Sequence, residues 1–308
     1  MKKKLKNNKK SLLKLSLTQL MGKADKVRKK YLGDKLELCS IINAKSGLCT
    51  ENCRFCAQSS RHKAEVSVYP LKSIEEMVKT AENAKRIGAK KFGIVTSGNR
   101  IKGTELDRII EAISQIKKKV GISVCASLGA LNRDELKKLK KAGLSRYHHN
   151  IETSPRFYSQ IVSTHSFNER LNTIKAAKEV GLEVCSGGII GMGETWQDRI
   201  DMAELLKKLK VDSIPINLLV PIKGTPMESM KTISCSDAIR ALAIFRIILK
   251  DKIVKIAAGR ETVLKDFQGS GFMAGANGML IGGYLTVRGR EVDKDHELVE
   301  EVKKAWKG

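Results

Sequence analysis

Four times in this chain an amphipathic helical stretch ends on a glycine and runs directly into a β-rich segment: "KRIGAKKFGIVTS", "KKVGISVCASLG", "KKAGLSRYHHNIE" and "KEVGLEVCSGGIIG". Gly88, Gly121, Gly143 and Gly181 stand where a helix C-terminus calls for a left-handed residue, a conformation that glycine accepts and side chains resist. The helices before them carry core spacing, as in Ile74, Met77, Val78 and Ala81, or Leu171, Ile174 and Val180. Further strands are expected in "LELCSIIN", "SIPINLLVP", "IVKIAAGRE" and "GMLIGG", which brings the count to eight strand–helix units. Such alternation demands an α/β fold with parallel strands and right-handed crossovers. A (β/α)8 TIM-type barrel is the simplest closure, with a doubly wound open sheet as the alternative.

At 308 residues and 42% hydrophobic, the chain can bury one large core, and no linker interrupts 36–290. A basic N-terminal arm or helix over 1–35 and a barrel over 36–308 are the expected parts. No apolar run reaches the length of a membrane span. The stretch "MKKKLKNNKKSLLKLSLTQLMGKADKVRKK" is basic but has neither a continuous apolar segment nor a small-residue cleavage site, so a secretory signal is not expected. A cytoplasmic chain with reduced thiols follows. The formal charge is +25, and the first 30 residues hold twelve Lys/Arg against one acid. Aromatics are only 5%, and those 30 residues contain none, so the stacking surface of a nucleic-acid binder is missing. Solvated lysine-rich faces explain the charge. A basic iron–sulfur or zinc protein that binds nucleic acid would account for charge and cysteines, yet not for eight strand–helix units.

A period of two sorts the strands. In "ISVCAS" the bulky Ile122 and Val124 alternate with Ser123, Cys125 and Ser127; in "LEVCSG", Leu182 and Val184 alternate with Glu183, Cys185 and Gly187. The bulky sets should face the helices and the small polar sets the lumen. Cys125 and Cys185 each lie four residues after a helix-ending glycine, hence at one level on one face. The same parity sends Glu37, Cys39 and Ile41 inward, groups His148, Asn150 and Glu152, groups Ser213, Pro215 and Asn217, and groups Ile256, Ala258 and Arg260. A polar, cysteine-bearing lumen at strand C-termini is where barrel enzymes keep their chemistry.

Between the first strand and the next helix stands "SGLCTENCRFCAQSS", with Cys49, Cys53 and Cys56 spaced C-x3-C-x2-C. A structural zinc site wants four ligands and paired knuckles, and a ferredoxin-type run wants a fourth cysteine; neither is present in this loop. A [4Fe–4S] cluster held by three thiolates leaves one iron open to an outside ligand.

With Phe55 just before the last cysteine, this loop resembles the radical S-adenosylmethionine superfamily. Together with "CSGGIIGMGET", "PINLLVPIKGTP", "AAGRE" and "FMAGAN", the chain resembles the biotin synthase family from about residue 36 to 290. Hydrogenase-maturation or methylornithine-synthase-like relatives would share the barrel without requiring Cys125, Cys185 and "AAGRE". The resemblance implies a sulfurtransferase that inserts sulfur into dethiobiotin to make biotin. It implies S-adenosylmethionine bound at the open iron and cleaved to a 5′-deoxyadenosyl radical. An auxiliary cluster, [2Fe–2S] in the common family pattern, would donate the sulfur. A flavodoxin or ferredoxin reductant and a homodimer are further family expectations.

The family's auxiliary ligands are three strand cysteines and an arginine. Cys125, Cys185 and Arg260 match by this resemblance, but Gly93 stands where the remaining cysteine is expected. Cys39 on the neighbouring first strand is the expected substitute, with Gly93 leaving it room. The resemblance also puts Gly187, Gly188, Gly191 and Gly193 in a loop along the cofactor. Glu152 and Asn150 would contact cofactor ribose and substrate, and Arg170 the cofactor carboxylate. Phe55 would lie near adenine, Asn217 at the substrate amide and His148 at its ureido ring. Cys235 and Trp196 are expected to be structural, Cys235 opening a helix capped by Ser234.

Overall fold

The computed structural model describes residues 11–285 and 289–307; the first ten residues of the basic arm lie outside them. The chain runs α1 (Leu17–Leu32), β1 (Glu37–Lys45), α2 (Ile74–Arg86), β2 (Lys91–Thr96), α3 (Thr104–Lys119), β3 (Ser123–Ser127), α4 (Arg133–Lys141) and β4 (Arg146–His148). It continues with α5 (Phe167–Glu179), β5 (Glu183–Cys185), β6 (Gly188–Ile190), α6 (Trp196–Lys208), β7 (Ser213–Leu218), α7 (Cys235–Leu249) and β8 (Ile253–Ile256). The short α8 (Arg260–Val263) and α9 (Gln268–Met273), then β9 (Gly278–Leu280) and α10 (Val292–Lys307), complete it.

All strand pairs are parallel, in the order β5-β4-β3-β2-β1-β9-β8-β7-β6. Cys185 of β5 also pairs with Ser213 of β7, so β5 and β6 are two halves of one stave and the sheet closes on itself. The result is an eight-stave (β/α)8 barrel, and the open-sheet alternative is excluded.

Local chemistry explains the elements. Ser73, Asn132, Ser166 and Thr195 each form a capping box at a helix start, and Ser234 accepts from Asp237 N at the start of α7. Gly88, Gly121, Gly143 and Gly181 all have positive φ, so each helix is turned into the next strand as their spacing predicts. Outward residues Phe92, Ile94, Val124, Tyr147, Val184, Ile214 and Val254 are buried under the helices. Each such aliphatic side chain contributes about 1.5–3 kcal/mol on burial. Helix α1 lies on this outer layer: Leu20 and Ala24 are buried, and the Arg28 guanidinium stacks 3.9 Å from the Trp306 ring of α10.

Strand parity agrees with the sequence on β1, β3, β4 and β7. On β8 it is corrected by one residue. Ile256 points outward, its Cδ1 lying 2.5 Å from where a Cβ on Gly271 of α9 would stand. Lys255 and Ala257 therefore face the lumen, while Ala258, beyond the end of the strand, lines the cavity as expected. Arg260 begins α8 rather than continuing the strand.

Candidate active site

The lumen opens into a cavity of about 500 Å³ lined by residues from every stave. Its floor is ionic. Glu37 accepts from Arg146 Nη1 at 2.6 Å and from Lys255 Nζ at 2.7 Å, and Arg146 Nε donates to Glu183 at 2.9 Å. Burial works against the Glu37 carboxylate, yet Lys255 and Arg146 together hold it at about 2. Buried charges persist only when paired in this way.

Three thiols stand in this cavity: Cys39, Cys125 and Cys185. Lys255 Nζ lies 2.8 Å from Cys39 Sγ. Burial pushes the Cys39 thiol up despite that lysine, and pushes Cys125 up to about 12. At Cys185 burial is outweighed by His148 and Lys255, which bring the thiol down to about 6. The room beside Gly93 is not taken by Cys39. Ile41 pairs with Gly93, its Cγ2 stands 3.0 Å from the missing Cβ, and Cys39 is paired one layer lower with Lys91.

The β4 stave and its extension carry the wall. His148 Nε2 and Asn150 Oδ1 are 3.0 Å apart, Asn150 Oδ1 also accepts from Gly187 N at 3.0 Å, and all three of His148, Asn150 and Glu152 line the cavity. Burial raises the Glu152 carboxyl against the pull of Arg170, whose Nη1 lies 3.8 Å away and donates to Asn150 O at 3.0 Å. Glu152 sits at φ +65°, a strained setting for a non-glycine residue that the packing around it enforces. Asn217 spans two staves, donating to Gly188 O at 3.2 Å and accepting from Ala258 N at 3.2 Å.

The glycine loop has a packing logic of its own. A Cβ on Gly187 would meet Pro215 O at 1.9 Å, and one on Gly188 would meet Glu152 O at 2.2 Å, so these two admit the neighbouring main chain. Gly191 and Gly193 hold positive φ, and the Glu194 carboxylate accepts from Gly191 N at 3.0 Å while pairing with Arg199 at 2.7 Å.

Cys49, Cys53 and Cys56 belong to the rim loop, whose Phe55 and Gln58 line the cavity. Their loop is closed by Ser60 N donating to Cys49 O at 2.7 Å and Cys56 N donating to Cys53 O at 2.9 Å. Phe157, Tyr158, Ile161, Met192, Leu219 and Met227 build a small apolar cluster around Cys53, and Phe55 faces the cavity. Burial raises Cys53 to about 12 and Cys56 to about 11, so bare thiols stay protonated there, and a bound metal would be needed to make them thiolates. Among the described residues no three His, Cys, Asp or Glu side chains converge on a single-ion site. Thiols ringing a space suit a cluster, which distributes its ligands over several irons. The loop trio lies within eight residues of chain, and the lumen trio shares one cavity, which is the donor chemistry such a group would need.

Arg260 is not in the cavity. Its Nη2 donates to both oxygens of Asp295 at 2.8 and 2.7 Å and its Nε to Tyr284 Oη at 2.9 Å, and it also binds Gln268; it ties α8 to α10. Lys255 and Arg146 occupy the lumen in its stead. Neither was singled out by sequence, nor were Tyr158, His165 and Glu194. A buried lysine inside an apolar strand run was the available signal for Lys255. Trp196 carries Arg199 over its ring at 4.3 Å, and Cys235 opens α7, both structural as expected.

Comparison with known proteins places the site in a family. Residues 45–206 match the radical S-adenosylmethionine superfamily, and 215–303 match the biotin and thiamin synthesis associated domain. The biotin synthase of Thermotoga neapolitana is 52% identical over 270 residues, covering 87% of this chain and 96% of that protein. That of Thermodesulfovibrio yellowstonii is 50% identical over 281 residues, covering 91% and 88%. Among solved structures, methylornithine synthase superposes with a TM-score of 0.80 at 21% identity, covering 96% of this chain and 91% of its own. The FeFe-hydrogenase maturase of Carboxydothermus hydrogenoformans gives 0.79 at 21%, covering 97% and 78%. These two share the fold alone, whereas the sequence relatives span nearly the whole chain at about half identity: the chain belongs to the biotin synthase family of radical S-adenosylmethionine enzymes.

Proposed function

We propose that this enzyme converts dethiobiotin to biotin by radical sulfur insertion, with Cys39, Cys125 and Cys185 holding the sulfur-donating auxiliary cluster. The observation that carries this reading is a lumen whose three thiols share one cavity with the polar wall of His148, Asn150, Glu152 and Asn217. When bound, the [4Fe–4S] cluster and S-adenosylmethionine supply the hydrogen-atom abstraction that no side-chain base can perform on an unactivated C–H bond.

The chain's own work is placement and water exclusion. Cys49, Cys53 and Cys56 would hold the rim cluster inside an apolar collar. Phe55, the 187–193 loop, Glu152 and Arg170 would hold the cofactor, with the Gly187 and Gly188 contacts keeping that wall tight. Asn150, Asn217 and His148 would meet the ureido group, since an amide both donates and accepts. Lys255 and Arg146, rather than Arg260, would direct N–H groups at the auxiliary thiolates. All seven cysteines are unpaired, which suits a reducing, cytoplasmic setting. No helix among the described residues is long and apolar enough to cross a membrane. A flavodoxin or ferredoxin donor and a homodimer complete the reading, as does the division into a basic arm (1–35) and a barrel (36–308).

Anaerobic reconstitution followed by Mössbauer spectroscopy tests it. Wild type should show two iron environments, and Cys39→Ala should lose iron and sulfide from the second while keeping the first. Unchanged iron and sulfide in Cys39→Ala would remove Cys39 from the ligand set.

A further inference from the structure

We infer that His165 is a positioning residue that donates an N–H···S hydrogen bond to Cys53, and thereby makes the rim cluster easier to reduce. His165 follows the strained turn after β4, over a hundred residues from the cysteine loop, yet its Nε2 lies 3.5 Å from Cys53 Sγ with both side chains buried. The order of donors along a hydrogen-bonded chain assigns its tautomer. Arg170 Nε can only donate, and it donates to Tyr158 Oη at 2.7 Å. The Tyr158 proton is then directed at His165 Nδ1, 2.7 Å away. With Nδ1 accepting, the neutral ring carries its hydrogen on Nε2, facing the sulfur.

Arg170 Nη2, a donor 3.4 Å from Nε2, would suit a lone pair there, but that contact is long, and the tautomer it suits would leave the buried Tyr158 hydroxyl proton without its acceptor 2.7 Å away. The Glu51 carboxylate at 3.8 Å lies beyond hydrogen-bond reach. Cys53 Sγ is left as the acceptor. Hydrogen bonds to cluster sulfurs withdraw electron density and favour the reduced state. The same Arg170 touches Asn150 O and lies beside Glu152, so the chain Arg170–Tyr158–His165–Cys53 links the cofactor wall to one thiolate.

The test uses full-length protein, reconstituted anaerobically with iron and sulfide, poised at fixed potentials and read by electron paramagnetic resonance of the reduced rim cluster. In His165→Phe the ratio of reduced to oxidised cluster at a fixed potential should fall about tenfold, ~59 mV for one electron, with iron per chain unchanged. His165→Gln, which keeps an N–H near the Nε2 position, should stay within about twofold of wild type. Tyr158→Phe, which frees the tautomer, should fall by about threefold. A His165→Phe cluster that titrates with wild type overturns the inference. So does a His165→Gln cluster shifted as far as His165→Phe, because packing rather than the donor would then set the potential. Should His165→Phe fail to retain iron, the other two variants decide: a shifted Tyr158→Phe with an unshifted His165→Gln supports the inference, and a Tyr158→Phe that titrates with wild type overturns it.

Discussion

Lys255 Nζ lies 2.8 Å from Cys39 Sγ and 2.7 Å from Glu37 Oε1, so one buried ammonium joins a thiol and a carboxylate of β1 from across the barrel floor. The two β1 residues are on one face because strand side chains alternate, and β8 brings the lysine between them. The contact makes the floor both a structural ion pair and a donor to a candidate cluster ligand.

Lys255→Met should therefore destabilise the apoprotein strongly. It leaves Glu37 with Arg146 as its remaining close cation, and breaking one side of a buried pair costs about 3–5 kcal/mol. The double variant Glu37→Gln/Lys255→Met should recover a large part of that loss, because no unpaired charge remains. Urea unfolding of the reduced, iron-free proteins measures both; a single variant as stable as wild type would contradict the ion-pair role.

Stability should also depend on Glu37 in acid. Its folded value is depressed from 4.5 to about 2, with Lys255 and Arg146 overcoming the effect of burial. A depressed carboxyl contributes fully above its unfolded value, and that contribution disappears as pH falls from about 4.5 to about 2, roughly 3 kcal/mol in all. Glu37→Gln should flatten this part of the profile while leaving a slope from Asp198, which is held low by Arg156 against its burial. Denaturant midpoints collected through that window read the difference.

Gly188→Ala tests the contact between β6 and the turn after β4. Its new methyl would stand 2.2 Å from Glu152 O and 2.8 Å from Met202 Sδ, so main chain has to move. Overpacking of this kind costs about 1–3 kcal/mol. Because Glu152 moves with it, binding of S-adenosylmethionine to the reconstituted enzyme should weaken by about tenfold or more. A variant that is destabilised but binds normally would separate Glu152 from the cofactor.

Arg260→Met should lower stability by about 3–5 kcal/mol, since it strands the buried Asp295. Arg260→Met/Asp295→Asn removes the stranded charge and should regain much of that. Iron and sulfide per chain in the double variant should equal wild type, because Arg260 faces α10 and not the lumen. Loss of the auxiliary iron in a stable double variant would return Arg260 to the cluster.

Four of the eight units were legible because their helices end on a glycine and the others because short apolar runs follow amphipathic stretches, and local chemistry sets local structure. The inward sets on β1, β3, β4 and β7 were legible because small or polar residues alternate there with bulky ones. On β8 that contrast fails: Ile253, Val254, Ile256, Ala257 and Ala258 read as an apolar run broken only by Lys255, much as strands buried on both faces do. Parity consequently set Ile256 inward and Lys255 outward, and Arg260 was carried inward with Ile256. Gly93 presents a similar limit, since its emptiness is visible in the sequence while its occupant, Ile41, depends on register between staves.

By itself, then, the sequence determined the succession of strands and helices, the three-thiol loop and the family to which both belong, because periodicity and spacing act over a few neighbouring residues. Only the tertiary structure decided which cations reach the lumen thiols and that His165 meets Cys53. Those contacts arise from closure of the sheet, which brings together side chains that no local pattern relates.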